Sequence, residues 1–288
     1  MELYEDTPSY RLRLPHRPAG AVVFASPHSG NEYPKAFLDS ASLDPHAIRS
    51  SEDAFMDRLL APAPGAGAPL LSAVLPRAFV DLNRAADELD PALIEGVRGT
   101  PHNPRVASGL GVIPRVVSAG RVIRQGKMPR AEAEARLALA WHPYHRRLSQ
   151  LLDQTWGAQG QAILVDMHSM PHEAVEQGRG PRPQVVIGDR FGATASAGIV
   201  HRIEAAFEAE GLRVGRNVPF AGAYVVQVHG RPASNRHAVQ IEIDRALYMD
   251  ERTITPHAGF DDFAALIGRV MARIIDIGRA EAEPLAAE

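Results

Sequence analysis

Residues 162–170 read Ala-Ile-Leu-Val-Asp-Met-His-Ser-Met, and this stretch decides the fold. An apolar run that leads directly into polar residues is typical of a buried strand, so we predict a strand over residues 162–166. Asp166, His168 and Ser169 then emerge at its carboxyl end, where the ligands of open α/β sheets bind. A histidine in that place could bind a metal or a substrate. The alternative is a core strand whose last histidine only caps a turn.

Three more predicted strands lead into polar residues. They are 21–26 before His28 and Ser29, 78–80 before Asp81, Asn83 and Arg84, and 238–243, which contains Glu242 and precedes Asp244 and Arg245. Glu242 lies between two isoleucines, where an unpaired buried carboxylate is costly. Plain alternation in a strand with one face in water would also account for it. Beside histidines at other strand ends, a general base is the better interpretation.

The rest of the chain alternates between strand-like and helix-like apolar spacing. We predict further strands at 70–74, 121–123, 184–188 and 223–228, and helices at 53–60 with Ser50 or Ser51 as N-cap, 131–153, 199–207 and 263–274. Residues 1–19 should be irregular, about 87–129 should form a long loop that lines or covers an active site, and 178–183 should form a linker. Strands that alternate with helices predict an α/β fold with a mixed, mostly parallel sheet. The absence of internal repeats favours one domain over residues 1–288.

The composition excludes several classes of function. The formal charge of −3 and the absence of a basic tract argue against nucleic acid or an anionic membrane as a partner, so we expect a small-molecule substrate. The chain has no cysteine, and therefore no disulfide, thiolate ligand or cysteine nucleophile. The acidic N-terminus lacks the apolar core of a signal peptide, and no window approaches 18 apolar residues, so we expect a cytoplasmic protein. The sequence does not predict an oligomeric state.

Two of the strand-end histidines suit a catalytic zinc site. Such a site takes three protein ligands and keeps a fourth position for water, and two histidines with one carboxylate are a standard set. His28 and His168 would supply the imidazoles. Glu52 and Asp53 begin the predicted helix after the first of these strands, so either carboxylate could reach the same end of the sheet.

Glu242 and the Asn83-Arg84 pair suit the remaining roles of such a site. Zinc lowers the pKa of its water to about 7, and a nearby glutamate can move the proton. The guanidinium fork of Arg84 fits a substrate carboxylate, and Asn83 adds a donor. A serine nucleophile at Ser29 or Ser169 is disfavoured because neither lies in a Gly-x-Ser-x-Gly elbow. No glycine-rich phosphate-binding pattern opens a helix, which leaves nucleotide binding unsupported.

Five motifs occur in order along most of the chain, from about residue 20 to 275. They are Pro27-His28-Ser29-Gly30, Glu52-Asp53, Asp81-Leu82-Asn83-Arg84, Asp166-Met167-His168-Ser169 and Gln240-Ile241-Glu242-Ile243. In this order they resemble the N-formylglutamate amidohydrolase family. The resemblance implies a three-layer α/β/α domain similar to zinc carboxypeptidases and aspartoacylase-type deacylases, a phosphorylase/hydrolase-like fold, with one Zn²⁺ per chain.

The resemblance also implies an activity, the hydrolysis of N-formyl-L-glutamate to formate and L-glutamate in histidine degradation. It implies metal ligands at His28 and His168, a catalytic role for Glu242, and binding of a substrate carboxylate by Asn83 and Arg84. The alternatives are a related zinc deacylase or carboxypeptidase-like hydrolase with another substrate, and a non-catalytic member of the fold that keeps a structural metal.

The third metal ligand is the point where the motifs depart from the carboxypeptidases. Their His-x-x-Glu motif would place a glutamate at position 31, but Asn31 stands there and Glu32 comes one place later. The formylglutamate enzymes share an acidic residue at the position of Asp53, which we therefore predict as the ligand. Glu52 and Glu32 remain alternatives.

Other side chains are predicted to bind the substrate or to support the site. Three arginines could each bind the second carboxylate of a glutamate-like substrate, and the sequence does not rank them: Arg115, Arg124 and Arg245. Asp166 is predicted to support His168 rather than to bind the metal. His142 and His145 share a predicted helix and are predicted to be structural or to lie behind the site.

Overall fold

An eight-stranded mixed sheet forms the centre of the protein in a computed structural model that describes residues 3–98, 103–175 and 182–279. The strands are β1 (Leu3–Asp6), β2 (Tyr10–Leu14), β3 (Val22–Ser26), β4 (Leu70–Ala73), β5 (Ala162–Met170), β6 (Val185–Gly188), β7 (Val214–Arg216) and β8 (Arg236–Asp244). Their order is β1-β2-β4-β3-β5-β8-β6-β7. The four central strands β4, β3, β5 and β8 are parallel. On one side β4 pairs antiparallel with β2, which pairs antiparallel with β1, and on the other side β8 pairs antiparallel with β6, which pairs parallel with β7. The carboxyl ends of the four central strands therefore meet at one edge of the sheet.

Helices cover both faces of this sheet, which confirms the predicted α/β fold. They are α1 (Lys35–Ser40), α2 (Met56–Leu59), α3 (Ala63–Ala66), α4 (Pro104–Ala107), α5 (Arg130–Arg136), α6 (His142–Gln159), α7 (Ala197–Glu208), α8 (Tyr224–His229) and α9 (Phe260–Ile277). A π-helical turn, Leu137–Trp141, joins α5 to α6. Short 3₁₀ helices cover Ala47–Ser51, Ser118–Gly120, His172–Val175, Pro232–Ser234 and Arg245–Leu247, and a small hairpin pairs β9 (Met249–Asp250) with β10 (Thr255–Pro256).

Alternation along the strands divides the apolar side chains between two cores. Val165 and Ile241 lie in the core that includes α2, α3, α7 and α9, whereas Leu164 and Ala238 lie in the core that includes α5, α6 and α8. Successive residues of a strand point to opposite faces, so both halves of an apolar run become buried. The central strands have no water-facing side, which explains their nearly continuous apolar sequence.

The N-terminal half differs from the sequence predictions at several elements. Residues 1–19, expected to be irregular, contain the antiparallel strands β1 and β2. Residues 78–80 form a turn rather than a strand, and Val122 makes only an isolated bridge to Val116. The helix predicted at 53–60 is reduced to the single turn α2, which begins after Phe55 (φ 64°) and has no serine cap. Short apolar runs do not distinguish strand, turn and helix by periodicity alone.

Residues 223–228, predicted as a strand, instead form most of helix α8. Valine favours strands by intrinsic propensity, but Val225 and Val226 are fully buried against the sheet as part of a helix, and packing overrides the propensity. The helix predicted at 131–153 is present as α5, the π-helical turn and α6, and it ends later than predicted, at Gln159. Strand β5 continues to Met170 rather than ending at residue 166. Residues 178–181 of the predicted linker lie outside the described residues.

Two features of the fold position the candidate site. His168 pairs in register with Glu242 across the parallel strands β5 and β8, and Asp166 pairs with Gln240. The predicted long loop at about 87–129 is mainly irregular where it is described, apart from α4 and one 3₁₀ turn. Across the described ranges, no helix combines the length and apolar character needed to cross a membrane.

Candidate metal centre and active site

Three side chains converge at the carboxyl edge of the central strands: His28, Asp53 and His168. The Nδ1 atoms of the two histidines lie 3.1 Å apart. The Oδ2 atom of Asp53 lies 3.0 Å from Nδ1 of His168 and 3.6 Å from Nδ1 of His28. All three side chains are buried. They are the two histidines and the preferred carboxylate that the sequence predicted as metal ligands.

Local chain geometry brings these residues together. His28 follows β3 directly, His168 lies in β5 beside it, and the two strands are parallel neighbours. The backbone N–H of Asp53 donates a hydrogen bond to the carbonyl of His28 at 3.0 Å, which holds the segment before α2 over the sheet edge. Nη2 of Arg245 donates to Oδ1 of Asp53 at 3.1 Å and leaves Oδ2 directed at the histidines. Asp53 is therefore fixed from both its backbone and its side chain.

Buried carboxylates orient both imidazoles from behind. Nε2 of His28 lies 2.7 Å from Oδ1 of Asp81, and Nε2 of His168 lies 3.0 Å from Oδ2 of Asp166. A carboxylate in this position accepts a hydrogen bond from Nε2–H, which keeps the proton on Nε2 and leaves the Nδ1 lone pair free. The two free lone pairs point at one another and at Asp53. Asp166 thus has the contact expected of a supporting residue.

The spacing of the three atoms fits a small cation at their centre. Ligands at 2.0–2.1 Å from a tetrahedral ion lie about 3.3 Å from one another. The observed separations of 3.0, 3.1 and 3.6 Å bracket that value. Two nitrogens and one carboxylate oxygen are also ligands that zinc accepts, and three of them leave one position open.

The charges around the centre favour a positive ion. Burial opposes ionisation of Asp53, but contacts with His168 and His28 outweigh burial and hold the pKa of Asp53 well below its usual value. Burial also opposes a proton on His168, but Asp166, Asp53 and Glu242 outweigh it and raise the pKa of His168 well above its usual value. The same carboxylates would stabilise a metal cation in place of that proton.

Glu242 is a separate buried carboxylate beside the centre. It lies opposite His168 in the register of β5 and β8 and accepts a hydrogen bond from Nε2 of Gln240 at 2.7 Å. Burial raises the pKa of Glu242 to about 7, which the charge of His168 only partly offsets. A carboxyl group with a pKa near 7 can both accept and donate a proton at neutral pH. The interpretation of residues 240–244 as a water-facing strand is wrong, because Glu242 is buried.

A cavity of about 820 Å³ opens in front of these residues. The predicted long loop contributes to its wall, through Arg105, Ser108, Leu110, Pro114 and residues 116–120. The segment Pro219–Ala223 contributes as well, together with the three residues predicted to bind substrate: Asn83, Arg84 and Arg245. The cavity therefore combines the metal centre, the buried glutamate and these three polar groups.

Asn83 and Arg84 are held in the cavity wall by different contacts. Asn83 donates from Nδ2 to Oε1 of Gln240 and accepts the backbone N–H of Val225 at 2.8 Å, so its amide connects the strand to α8. Arg84 is buried and donates to the carbonyls of Leu110 and Asn83. No carboxylate of the described ranges lies within ion-pairing distance of Arg84, so its charge is free to meet an anion.

The other carboxylate candidates lie apart from the histidines. Glu32 is exposed and pairs with Arg11. Glu52 is buried, but it accepts hydrogen bonds from the hydroxyl of Tyr33 and from Arg49. Among the described residues, Asp53 contacts the two histidines and Glu32 and Glu52 do not. This supports the prediction of Asp53 as the third metal ligand.

Two of the three arginines proposed for a second substrate carboxylate are engaged elsewhere. Arg115 pairs with Asp90 at 2.8 Å and Arg124 pairs with Glu132 at 3.1 Å, and neither lines the cavity. Arg245 lines the cavity but pairs with Asp53. The structure thus leaves none of the three as a free cation facing the cavity.

Sequence reasoning missed several residues that shape the site. The sequence places Asp81 after a predicted strand but does not link it to His28, and it gives no signal for Arg77, which pairs with Asp81 at 2.9 Å. Trp141 donates from Nε1 to the carbonyl of Arg84, and His145 contacts the carbonyl of Leu82, both at 2.9 Å. His145 is predicted to be structural or to lie behind the site, but no sequence signal links its helix to residues 82–84.

Comparison with known proteins gives consistent matches over most of the chain. The family model described as N-formylglutamate amidohydrolase matches residues 20–249. A Pseudomonas aeruginosa protein named N-formylglutamate deformylase is 30% identical over 258 residues, which cover 88% of this chain and 91% of that protein. A Pseudomonas putida protein of the same name is 28% identical over 233 residues, covering 80% and 82%. The crystal structure of N-formylglutamate amidohydrolase from Ralstonia eutropha JMP134 is similar with a TM-score of 0.88 and 34% identity, covering 94% of this chain and 98% of that one.

Proposed function

Because the chain belongs to the N-formylglutamate amidohydrolase family, whose members named above hydrolyse an amide, we propose that it converts N-formyl-L-glutamate and water to formate and L-glutamate. The observation that carries the proposal is the pair of Nδ1 atoms and the Asp53 oxygen converging beside the buried Glu242. We also propose a role in histidine degradation, which the family resemblance implies for that substrate, and a cytoplasmic location.

We propose that His28, Asp53 and His168 hold one Zn²⁺. When bound there, zinc would polarise the formyl carbonyl and lower the pKa of a water in its open position. The supporting observations are the nitrogen and oxygen donor set, the separations near those of a tetrahedral site, and the carboxylates behind both imidazoles. A set of two histidines and one carboxylate with an open position is typical of catalytic rather than structural zinc.

Glu242 is the proposed general base and acid. Its carboxylate accepts a proton from the attacking water as the new C–O bond forms at the formyl carbon. It then delivers that proton to the nitrogen of glutamate as the C–N bond breaks, so the carboxylate is regenerated. Burial supports this dual role because it places the pKa of Glu242 at about 7. Gln240, hydrogen-bonded to Oε1, orients the carboxylate.

Arginine side chains are proposed to bind the negative charges of the substrate and of the transition state. Arg84 lines the cavity without a carboxylate partner among the described residues, and its planar fork suits the α-carboxylate. Asn83 is proposed to add a donor to the substrate; its Nδ2 already donates to Gln240 and lies 3.3 Å from Nε2 of His168, which places this amide beside the metal centre. Arg245, which also lines the cavity, would stabilise the charge that develops on the formyl oxygen, because Arg84 is assigned to the α-carboxylate.

Metal analysis combined with formate release tests the proposal. The purified protein should contain about one zinc per chain and release formate from N-formyl-L-glutamate. Replacing Glu242 with Gln should lower kcat by about 10²- to 10⁴-fold while the zinc content is kept. Glu52→Gln is the matched control, because it changes another buried glutamate that does not contact the histidines, and it should retain activity.

Two outcomes would overturn the proposal. One is a protein that binds no metal and releases no formate. The other is normal turnover by the Glu242→Gln variant. A panel of N-formyl, N-acetyl and N-succinyl amino acids then distinguishes a deformylase from a related deacylase, because the acyl group must fit between the metal centre and Glu242.

A further inference from the structure

The cavity carries more guanidinium groups than the proposed reaction uses. Five arginines line it: Arg77, Arg84, Arg105, Arg190 and Arg245. Two of them are neutralised by ion pairs, Arg77 with Asp81 and Arg245 with Asp53. Over the described ranges, the remaining three have no carboxylate within 4.0 Å, so their guanidinium charges are available to an anion that enters the cavity.

We propose that Arg190 binds the side-chain carboxylate of the substrate and thereby selects N-acylated acidic amino acids over neutral ones. This inference rests on the proposed function. It adds the residue that recognises the amino-acid side chain of the substrate. A glutamate-like substrate brings two carboxylates, and Arg84 is proposed for only one of them. The second requires another cation in the same cavity.

The backbone around Arg190 is built to hold that side chain in place. Arg190 lies in the loop between β6 and α7, and its N–H donates to the carbonyl of Ala221 at 2.8 Å. The side chain of Asn217 fixes the flanking residues, because Oδ1 accepts the N–H groups of Asp189 and Phe191, and Nδ2 donates to Oδ1 of Asp189 at 2.7 Å. Four hydrogen bonds thus define the conformation of three consecutive residues.

The same loop contains strained backbone. Arg190 and Phe191 have φ angles of 52° and 57°, in the left-handed region that non-glycine residues seldom adopt. Such conformations persist where the surrounding contacts enforce them, and they concentrate at ligand-binding sites. Here the strain places a half-buried arginine in the cavity wall beside Gly222, whose carbonyl accepts from Nη1 at 3.4 Å. That long contact leaves most of the guanidinium donors available.

Arg105 is the remaining free arginine, and it is the weaker candidate. It lies on the exposed one-turn helix α4, and its hydrogen bonds to other described residues come from its backbone N–H and carbonyl rather than from its guanidinium. A long exposed side chain must lose more rotamer freedom to bind an anion than a half-buried one on a loop whose backbone is already fixed. Arg190 is therefore the better positioned of the two.

A matched pair of substrates tests the proposal. N-formyl-L-glutamate and N-formyl-L-glutamine have the same shape and differ in the charge of the side chain. In the zinc-loaded enzyme, Arg190→Gln should lower kcat/KM for the glutamate substrate by about 100-fold, because a charge-assisted pair is lost. The value for the glutamine substrate should change less than about 3-fold, so that the preference collapses. Arg190→Lys, which keeps the charge but not the fork, should fall between the two.

Two controls separate the possible outcomes. Arg105→Gln should keep the wild-type preference for the glutamate substrate. Calorimetry that compares the affinity for glutarate with the affinity for its monoamide measures the charge preference without turnover. The inference is overturned if Arg190→Gln folds and keeps the preference in both assays, or if Arg105→Gln removes it instead. A wild-type protein that hydrolyses neither substrate contradicts the proposed function, while a glutarate preference lost in Arg190→Gln would still support the assignment of this residue.

Discussion

Replacing Asp81 with Asn tests whether the carboxylates behind the histidines tune a metal site. Oδ1 of Asp81 accepts from Nε2 of His28 at 2.7 Å and from the backbone N–H of Asn83 at 2.8 Å, and Oδ2 accepts from Arg77 at 2.9 Å. Burial opposes the charge, but Arg77 and His28 outweigh it and hold the pKa of Asp81 well below its usual value. The residue is therefore an anion at neutral pH.

The expected loss follows from these contacts. In Asp81→Asn, the amide oxygen can still accept the N–H of His28, so the ring keeps its orientation. The negative charge that makes the imidazole a stronger ligand is gone. Loss of such a supporting carboxylate typically weakens metal binding by about 10- to 100-fold, or about 1.4 to 2.7 kcal/mol. We expect zinc affinity to fall within that range, as measured by competition with a chromophoric chelator at pH 7.5.

Asp90→Asn is a closely matched control. Asp90 is also buried, accepts a backbone N–H two residues later, from Ala92 at 2.8 Å, and pairs through Oδ2 with Arg115 at 2.8 Å. Asp90 has no contact with His28. Its replacement should therefore cause the loss of stability that follows when a buried carboxylate paired with an arginine is neutralised, but it should leave zinc affinity unchanged. Equal affinity in Asp81→Asn and the wild type, or an equal loss in both variants, would refute the reasoning.

Three further predictions concern the remaining parts of the site. Burial, together with nearby positive charge, lowers the pKa of His145 from 6.5 to about 3, so the stability that its neutral form contributes is complete above pH 6.5 and is lost as the pH falls toward 3. The free energy of unfolding of the metal-free protein, measured in urea, should therefore fall by about 2–3 kcal/mol more between pH 7 and pH 4.5 than that of the His145→Gln variant. Trp141→Phe removes the donor to the carbonyl of Arg84 and should raise KM by about 2- to 10-fold with little change in kcat, as initial rates will show. Asp53→Ala should abolish stoichiometric zinc in metal analysis and Glu32→Ala should not; the reverse result would reassign the third ligand.

The sequence was most informative where local pattern and chemistry coincide. The run before Asp166 predicted a central strand, and parallel neighbouring strands place His28 and His168 at one sheet edge. The position of Glu242 between two isoleucines predicted a buried carboxylate with a functional role, because burying an unpaired carboxylate costs free energy. The resemblance selected Asp53 over its neighbour Glu52, and their different partners explain why adjacent carboxylates have different roles.

Residues joined only by tertiary packing could not be predicted. The contact of His145 with the chain before Asn83 connects segments 63 residues apart, and the loop that holds Arg190 depends on Asn217, 27 positions later in the sequence. Helix α8 was misassigned for a related reason, because its valines favour a strand until the sheet supplies a surface on which a helix packs.

The donor atoms of the proposed metal centre come from distant points of the chain, with separations of 115 and 140 residues for the contacts of His168. An unfolded chain therefore offers no comparable site, and a metal that binds only the native state stabilises it by mass action, by about 2.7 kcal/mol at a free concentration 100 times its Kd. During synthesis, the site cannot form until β5, which ends at Met170, has left the ribosome. Metal uptake would thus indicate that β3 and β5 are paired. When the metal is scarce, the melting temperature of the protein would depend on the concentration of free metal ion.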